Sequence, residues 1–387
     1  MVDLAKYHPL RFAQTRSYAK RAVSALQSMP GMESGIPTHE AFQAVGRLVQ
    51  DGYNEALEDI PFEDRPLGTQ LAMKEISYTL TYAMFCKSGR NIFDIDAALV
   101  EMFHHTEVGY IPLSTIQTPF DNLYLHFGPQ DSLSMFGGEY VVEGAYVDFR
   151  TELLQVWLAT RRVDGQRPHI VTVPDRYYYL PIPLDSEDLT VGEALALAIE
   201  NEVKAQEPSE GWQEAFATVA SEAREQGIHL TSNRERSSEQ AKAEVIEGSE
   251  TFLSAMNLVL NSLCYLTAYQ EDIQAEWPGD APASLKEKAD HGKTPKERRR
   301  AESKLLPMGF TKVRFCRAAQ GASSQNALST DSLSVRAHWR RGHWRNQPMG
   351  PRDKRTHQLK WIRPTYVGKG EAKAISGHLY SVNKSSD

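Results

Sequence analysis

Apolar residues recur every three or four positions through much of the first hundred residues, the spacing of amphipathic helices. RSYAKRAVSALQSM (residues 16–29) keeps that period and stops before Pro30-Gly31. THEAFQAVGRLVQDGYNEAL (38–57) begins on Thr38, a hydroxyl suited to capping a helix N-terminus. LGTQLAMKEISYTLTYAMFCKSGRN (67–91) carries Gly89 near its end, where a helix C-terminal cap is expected. Residues 1–110 are therefore expected to be mainly helical.

Near Tyr110 the period shortens to two. NLYLHFG, EYVVEGAYVDF and ELLQVWLAT are β-branched and aromatic runs separated by the glycine-rich MFGGE, and HIVTVPDRYYYLPIPL continues them. The expectation for residues 111–185 is a small antiparallel sheet packed on the helices. Thr190 then opens VGEALALAIENEV as a further helix, and the polar stretch 205–249 contains a helical WQEAFATVASEA.

TFLSAMNLVLNSLCYLTAYQ (251–270) has no charged residue, but Asn257, Asn261, Ser254, Ser262 and Thr267 dilute it. Phe252, Met256, Val259, Leu263 and Leu266 form one helical seam, and the flanks are acidic rather than basic. This reads as a buried helix, with no membrane partner.

Residues 278–304, PGDAPASLKEKADHGKTPKERRRAESK, are poor in apolar residues and rich in Pro, Gly, Lys and Arg. They are expected to form a flexible basic linker. After them FTKVRFC, SVRAHWRRGHWR, HQLKWIRPTYVG and HLYSV read as strands with Gly- and Pro-containing turns. The fold class is thus α+β. An acidic body spans residues 1–277: helical over 1–110, sheet-rich over 111–185 and helical over 186–277. A compact basic β-rich domain spans 305–387.

Charge changes that picture most. Residues 283–387 hold 23 lysines and arginines against 8 acids, whereas the remaining 282 residues hold 20 against 42. Such asymmetry points to a polyanionic partner for the basic part: RNA, weakly preferred, or single-stranded DNA. An acidic regulatory protein, or the acidic body itself, would satisfy the same charge. The cysteines Cys86, Cys264 and Cys316 lie far apart. That spacing excludes a disulfide framework or cysteine-built zinc site and suits the cytoplasm. The N-terminus lacks the apolar core of a signal peptide.

Candidate chemistry concentrates in SVRAHWRRGHWRNQPMGP (334–351), which contains four arginines, two histidines, two tryptophans and no acid. On one strand, Arg336, His338 and Arg340 share a face, with Val335, Ala337 and Trp339 on the other. A bulge at Gly342 would return His343 and Arg345 to the first face. His338 and His343 would then act as general base and acid in metal-independent RNA cleavage, with Arg340 stabilising charge on the phosphate. His357 is a further candidate. Without catalysis, Arg336, Arg341, Arg345, Lys354, Arg355 and Lys360 would simply hold phosphates, and Trp344 would either stack on bases or fill a core.

Concentrated positive charge disfavours a divalent cation here, so no metal is expected. No GxxxxGK[ST], GxGxxG or HExxH is present, so no cofactor is expected either. His104-His105 end a helical segment, where cations suit the helix C-terminus. His126, with Glu139, Glu143 and Asp148 nearby, and the Tyr177–Tyr179 run suggest a second pocket, with structural packing as the alternative.

The pattern H-W-R-R-G-H-W-R, then G-P, then W-I-R-P-T-Y-V-G resembles a module at the ends of a group of uncharacterised plasmid- and phage-associated bacterial proteins. IQTPFDNLYLHFG…EGAYV and NLVLNSLCYLT are similar to segments of the same group. The resemblance implies a mobile-element or phage-conflict setting and supplies no catalytic residue. Three functions follow as expectations. The first is a cytoplasmic nucleic-acid-binding protein, with an RNase-type toxin as its catalytic form. The second is a non-catalytic protein whose basic domain docks an acidic partner. The third is a nucleotide-using transferase with its pocket in the 111–185 sheet.

Overall fold

The computed structural model describes residues 6–27, 29, 38–58, 69–150, 153–166, 177–184, 189–205, 238–277, 281–306, 308, 310–317, 338–351 and 355–367. The chain opens with α1 (His8–Thr15), α2 (Ala19–Gln27), α3 (His39–Leu57) and α4 (Thr69–Lys87). Thr38 caps α3 as its position suggests, its hydroxyl accepting the Ala41 N–H at 3.2 Å.

The strands expected from the two-residue period are present as β3 (Asn122–Met135), β4 (Tyr140–Arg150), β5 (Leu153–Arg162) and β6 (Tyr177–Pro183), successive strands pairing antiparallel. They form part of a larger mixed sheet, in the order β6-β5-β4-β3-β1-β8-β7. β1 (Ile92–Ile95) lies parallel to both β3 and β8 (Val313–Cys316), and β7 (Ile273–Glu276) closes the edge. The fold is α+β.

Alternation along these strands gives the sheet two unlike faces. Leu123, Leu125, Ala145, Val147, Leu154, Val156 and Leu158 point to one side. There they pack with α5 (Ala97–His104), α6 (Val191–Ala205) and α7 (Ser238–Ala268). Tyr124, Tyr146 and Trp157 point to the other side, under α1–α4. α7 contains the apolar run from residue 251 to its own end at Ala268, and its Gly248–Ala268 segment is long and apolar enough to cross a membrane. All five residues of its expected seam are buried in the core, with Leu258, Leu260 and Tyr265 buried around them.

Two sequence expectations are overturned. Residues 283–305 are not a flexible linker: they form α8 (Ala283–His291) and α9 (Pro295–Leu305). Their small apolar set, Ala289, Ala301 and Leu305, packs with Trp277 and Ala281. The basic tail is also not a separate domain, since β8 sits inside the central sheet between β1 and β7. β1 and β8 are four residues each, too short for their pattern to assign them to one sheet. HLYSV and WQEAFATVASEA lie outside the described residues.

Candidate nucleic-acid interface

The basic tail continues as β9 (His338–Arg340), β10 (Gly342–Met349), β11 (Thr356–Ile362) and β12 (Thr365–Val367). β9 pairs with β12, whereas β10 pairs antiparallel with β11 and parallel with β2 (Thr106–Glu107). The chain therefore changes partner at Arg341. His338 and His343 do not share one bulged strand, as the cleavage geometry required.

Gly342 has another physical role. Its N–H donates to the His105 carbonyl at 2.8 Å. A Cβ there would meet Pro364 Cδ at 2.6 Å and Thr106 Oγ1 at 2.7 Å. Glycine is demanded by close approach of the ribbon to β2, not by a bulge.

From Gly342 to Arg345 the ribbon alternates between buried and exposed positions. Trp344 lies directly opposite Trp361 on the inner face, their rings stacked with centroids 5.8 Å apart. Both indoles are buried in the main core. Trp361 meets Phe103 at 5.3 Å and Tyr265 at 6.0 Å. Trp344 Nε1 donates to Asn261 Oδ1 at 2.7 Å, and Trp361 Nε1 donates to Thr106 Oγ1 at 3.2 Å. Asn261 in turn donates to the Thr106 carbonyl at 3.1 Å, so α7, β2 and the ribbon share one satisfied polar network. Of the two readings open for Trp344, stacking on bases or filling a core, the structure has the core: 2% of its surface remains accessible. Pro348 is tolerated because β2 reaches only Gly342 and His343, which leaves the far half of β10 an edge.

The outer face carries His343, Arg345 and Lys360, all exposed. Arg345 stands directly opposite Lys360, and among the described residues no carboxylate pairs with either. Like charges in that register repel and destabilise a ribbon. Arg340 on β9 and Arg355 at the start of β11 are exposed as well. Arg341 is engaged by Glu107, the acid beside His343 on β2. His357 lies on the opposite face of the ribbon, across from Pro348. Arg336 and Lys354 fall outside the described residues, as does the side chain of His338.

Sequence reasoning did not find Tyr110, half-exposed and close to the Trp344 backbone of the ribbon. No local signal connects it to a strand more than two hundred residues later.

The second candidate pocket takes a different form. Asp94, His126 and Gly144 align in register across β1, β3 and β4, on the face covered by α1. Tyr7 donates to Asp94 at 2.7 Å, Lys6 pairs with Asp94 at 2.6 Å, and Arg11 pairs with Glu143. His126 is buried, and among the described residues neither of its ring nitrogens, nor Glu143 Oε2, nor Tyr124 OH has a hydrogen-bond partner. Burial pulls the His126 imidazole down to about 4, so it is neutral at ordinary pH. Glu143 belongs to this cluster as expected, but Asp148 accepts from Asn122 at 3.4 Å. Tyr179 packs on Trp157 at 4.3 Å. His104 is no charged helix cap: burial lowers its pKa, and it is hydrogen-bonded to Gln130 at 3.1 Å.

The profile of the AcrVA2-like family, described as the anti-CRISPR type V subtype A2 family, matches residues 93–369, from β1 through the end of the ribbon. Among solved structures, the crystal structure of AcrVA2 is similar over 95% of this chain and 100% of that one, with 12% identity and a TM-score of 0.43. The search of curated proteins returns no match. On the family match, which spans sheet and ribbon together, the chain belongs to the AcrVA2-like anti-CRISPR type V subtype A2 family, a family of phage and mobile-element conflict.

Proposed function

We propose that this protein counters a type V CRISPR system by binding nucleic acid, RNA in preference to DNA, on the outer face of the β10–β11 ribbon. The observation that carries this reading is the Arg345–Lys360 pair. Two cations opposed across a ladder, without an acid among the described residues, raise the energy of the free ribbon and are relieved when a phosphate sits between them. Arg340 and Arg355 extend the positive surface, and Lys354 adjoins it in sequence. Tyr110 supplies the exposed aromatic ring that Trp344 does not, suited to stacking one unpaired base.

Binding without cleavage is the form this ribbon supports. The strand change at Arg341, which puts His338 and His343 on different strands, supports binding over cleavage. The partner follows from the family's name and the ribbon's charge together: a CRISPR effector is built on RNA, and phosphate contacts give affinity without demanding a particular sequence. Purification of the full chain from a bacterial host, followed by sequencing of nucleic acid retained at high salt, tests this. Enrichment of RNA supports the reading. Protein free of nucleic acid after low-salt purification counts against it.

A further inference from the structure

We propose that the α8–α9 hairpin is a second, independent contact for the nucleic-acid backbone, separate from the ribbon. This rests on the nucleic-acid reading above and deepens it. The hairpin is rigidly held. Trp277 Nε1 donates to Asp290 at 3.1 Å, Lys312 pairs with the same carboxylate at 2.7 Å, and Arg90 donates to the Leu306 carbonyl at 2.6 Å. Thr294 and Glu297 form a capping box at the start of α9. The Glu297 N–H reaches Thr294 Oγ1 at 3.1 Å, and Glu297 Oε2 accepts the Lys293 N–H at 3.0 Å.

These contacts use Asp290 and Glu297 for structure and leave the cations unmatched. Among the described residues, no carboxylate pairs with Lys296, Arg298, Arg299, Arg300 or Lys304, and all five are exposed. The buried face of α9 is Ala301 and Leu305. At 100° per residue, Lys296, Arg299, Arg300 and Ser303 lie on the side away from it. From Lys296 to Lys304 the ridge is about 12 Å long, enough to follow three or four phosphates of one strand.

The chemistry favours nucleic acid over an acidic protein. Protein interfaces put apolar and aromatic groups at their centre and exclude lysine from it. The outward side of α9 offers only Lys, Arg and Ser. The hairpin is tied to Arg90, just before β1. The ribbon packs at the other end of that strand, against Tyr265, whose hydroxyl reaches the Arg317 carbonyl. The two cationic surfaces therefore sit apart, and a strand bound by one can continue to the other.

The test uses the full chain with a fluorescein-labelled 20-nucleotide RNA, titrated by anisotropy between 50 and 200 mM NaCl, with thermal melts as fold controls. K296E/R299E/R300E is expected to weaken binding at least tenfold at the lowest salt. It should also flatten the log–log salt slope by about 2, from three lost contacts at roughly 0.7 each. R299K/R300K, which keeps the charge, should bind like wild type. If the triple reversal melts early, R299Q/R300Q replaces it, with a smaller loss of slope expected. Reversal variants that fold normally and keep wild-type affinity and slope overturn the proposal. If they do so while R345E/K360E loses binding, the hairpin fails and the ribbon reading stands. Wild-type protein without salt-dependent binding ends both.

Discussion

The outer ribbon and the pocket under α1 each leave polar groups without partners among the described residues, and they differ in what surrounds those groups. On the outer ribbon, Arg345 and Lys360 face one another in water, where repulsion is screened and each charge keeps its hydration. Under α1, His126, Glu143 Oε2 and Tyr124 OH are buried without partners among the described residues, and each such group costs about 1–3 kcal/mol. The ribbon's mismatch is cheap and open to a polyanion. The buried mismatch is expensive and shut behind Tyr7 and Arg11. A ligand is therefore sought at the ribbon, and a stability cost under α1.

The strongest way to break this contrast is to remove what holds the ribbon in place. Trp344→Ala deletes a buried indole and orphans Asn261 Oδ1, so a loss of about 3–5 kcal/mol in urea unfolding is expected. A loss below 1 kcal/mol would mean that the ribbon is not part of the core.

Next in size is acid. An unfolded His126 takes up its proton near 6.5 and the folded one near 4, so the unfolded state binds more protons between those values. Stability should be full above pH 6.5 and fall by about 3 kcal/mol toward pH 4 from this residue alone. His126→Phe should be more stable at pH 7 and lose that share of the pH dependence. Identical pH profiles for the two proteins would contradict the buried, neutral assignment.

Tyr110→Ala should weaken single-stranded RNA binding by about 1–2 kcal/mol while leaving the salt slope unchanged, since stacking carries no counterion release. A changed slope with unchanged affinity would remove Tyr110 from the site. The smallest effect separates stability from binding most cleanly. Arg345→Glu turns the repulsive cross-strand pair into an attractive one and should stabilise the ribbon by about 0.2–1 kcal/mol as RNA affinity drops. Destabilisation by this substitution would show that Arg345 serves the fold.

Periodicity made much of this fold legible. The alternation in NLYLHF separates Leu123 and Leu125 from Tyr124 and His126, and the structure places these pairs on opposite faces of the sheet. The seam of 251–270 is buried as its spacing indicates. What escaped was non-local. Nothing in VRFC says that it pairs with NIFDI, or that Asn261 will meet Trp344. The α8–α9 hairpin was partly legible, because Thr294-Pro295-Lys296-Glu297 is a capping box with proline in the first turn. Its polar composition obscured that signal. At the site, parity alone put His343 and Arg345 together and Trp344 behind them. Whether the chain bulges or changes partner at Arg341 depends on β2, which is only two residues long.

The central claim is that outward cations of the ribbon hold phosphates. Anisotropy of a labelled 20-nucleotide RNA against salt, for wild type and R345E/K360E, tests it most directly. The account predicts salt-sensitive binding by wild type. In the variant, at an unchanged melting temperature, affinity should fall by tenfold or more and the slope should be shallower by about 1.4, two contacts at roughly 0.7 each. A variant with the wild-type affinity and slope would contradict it.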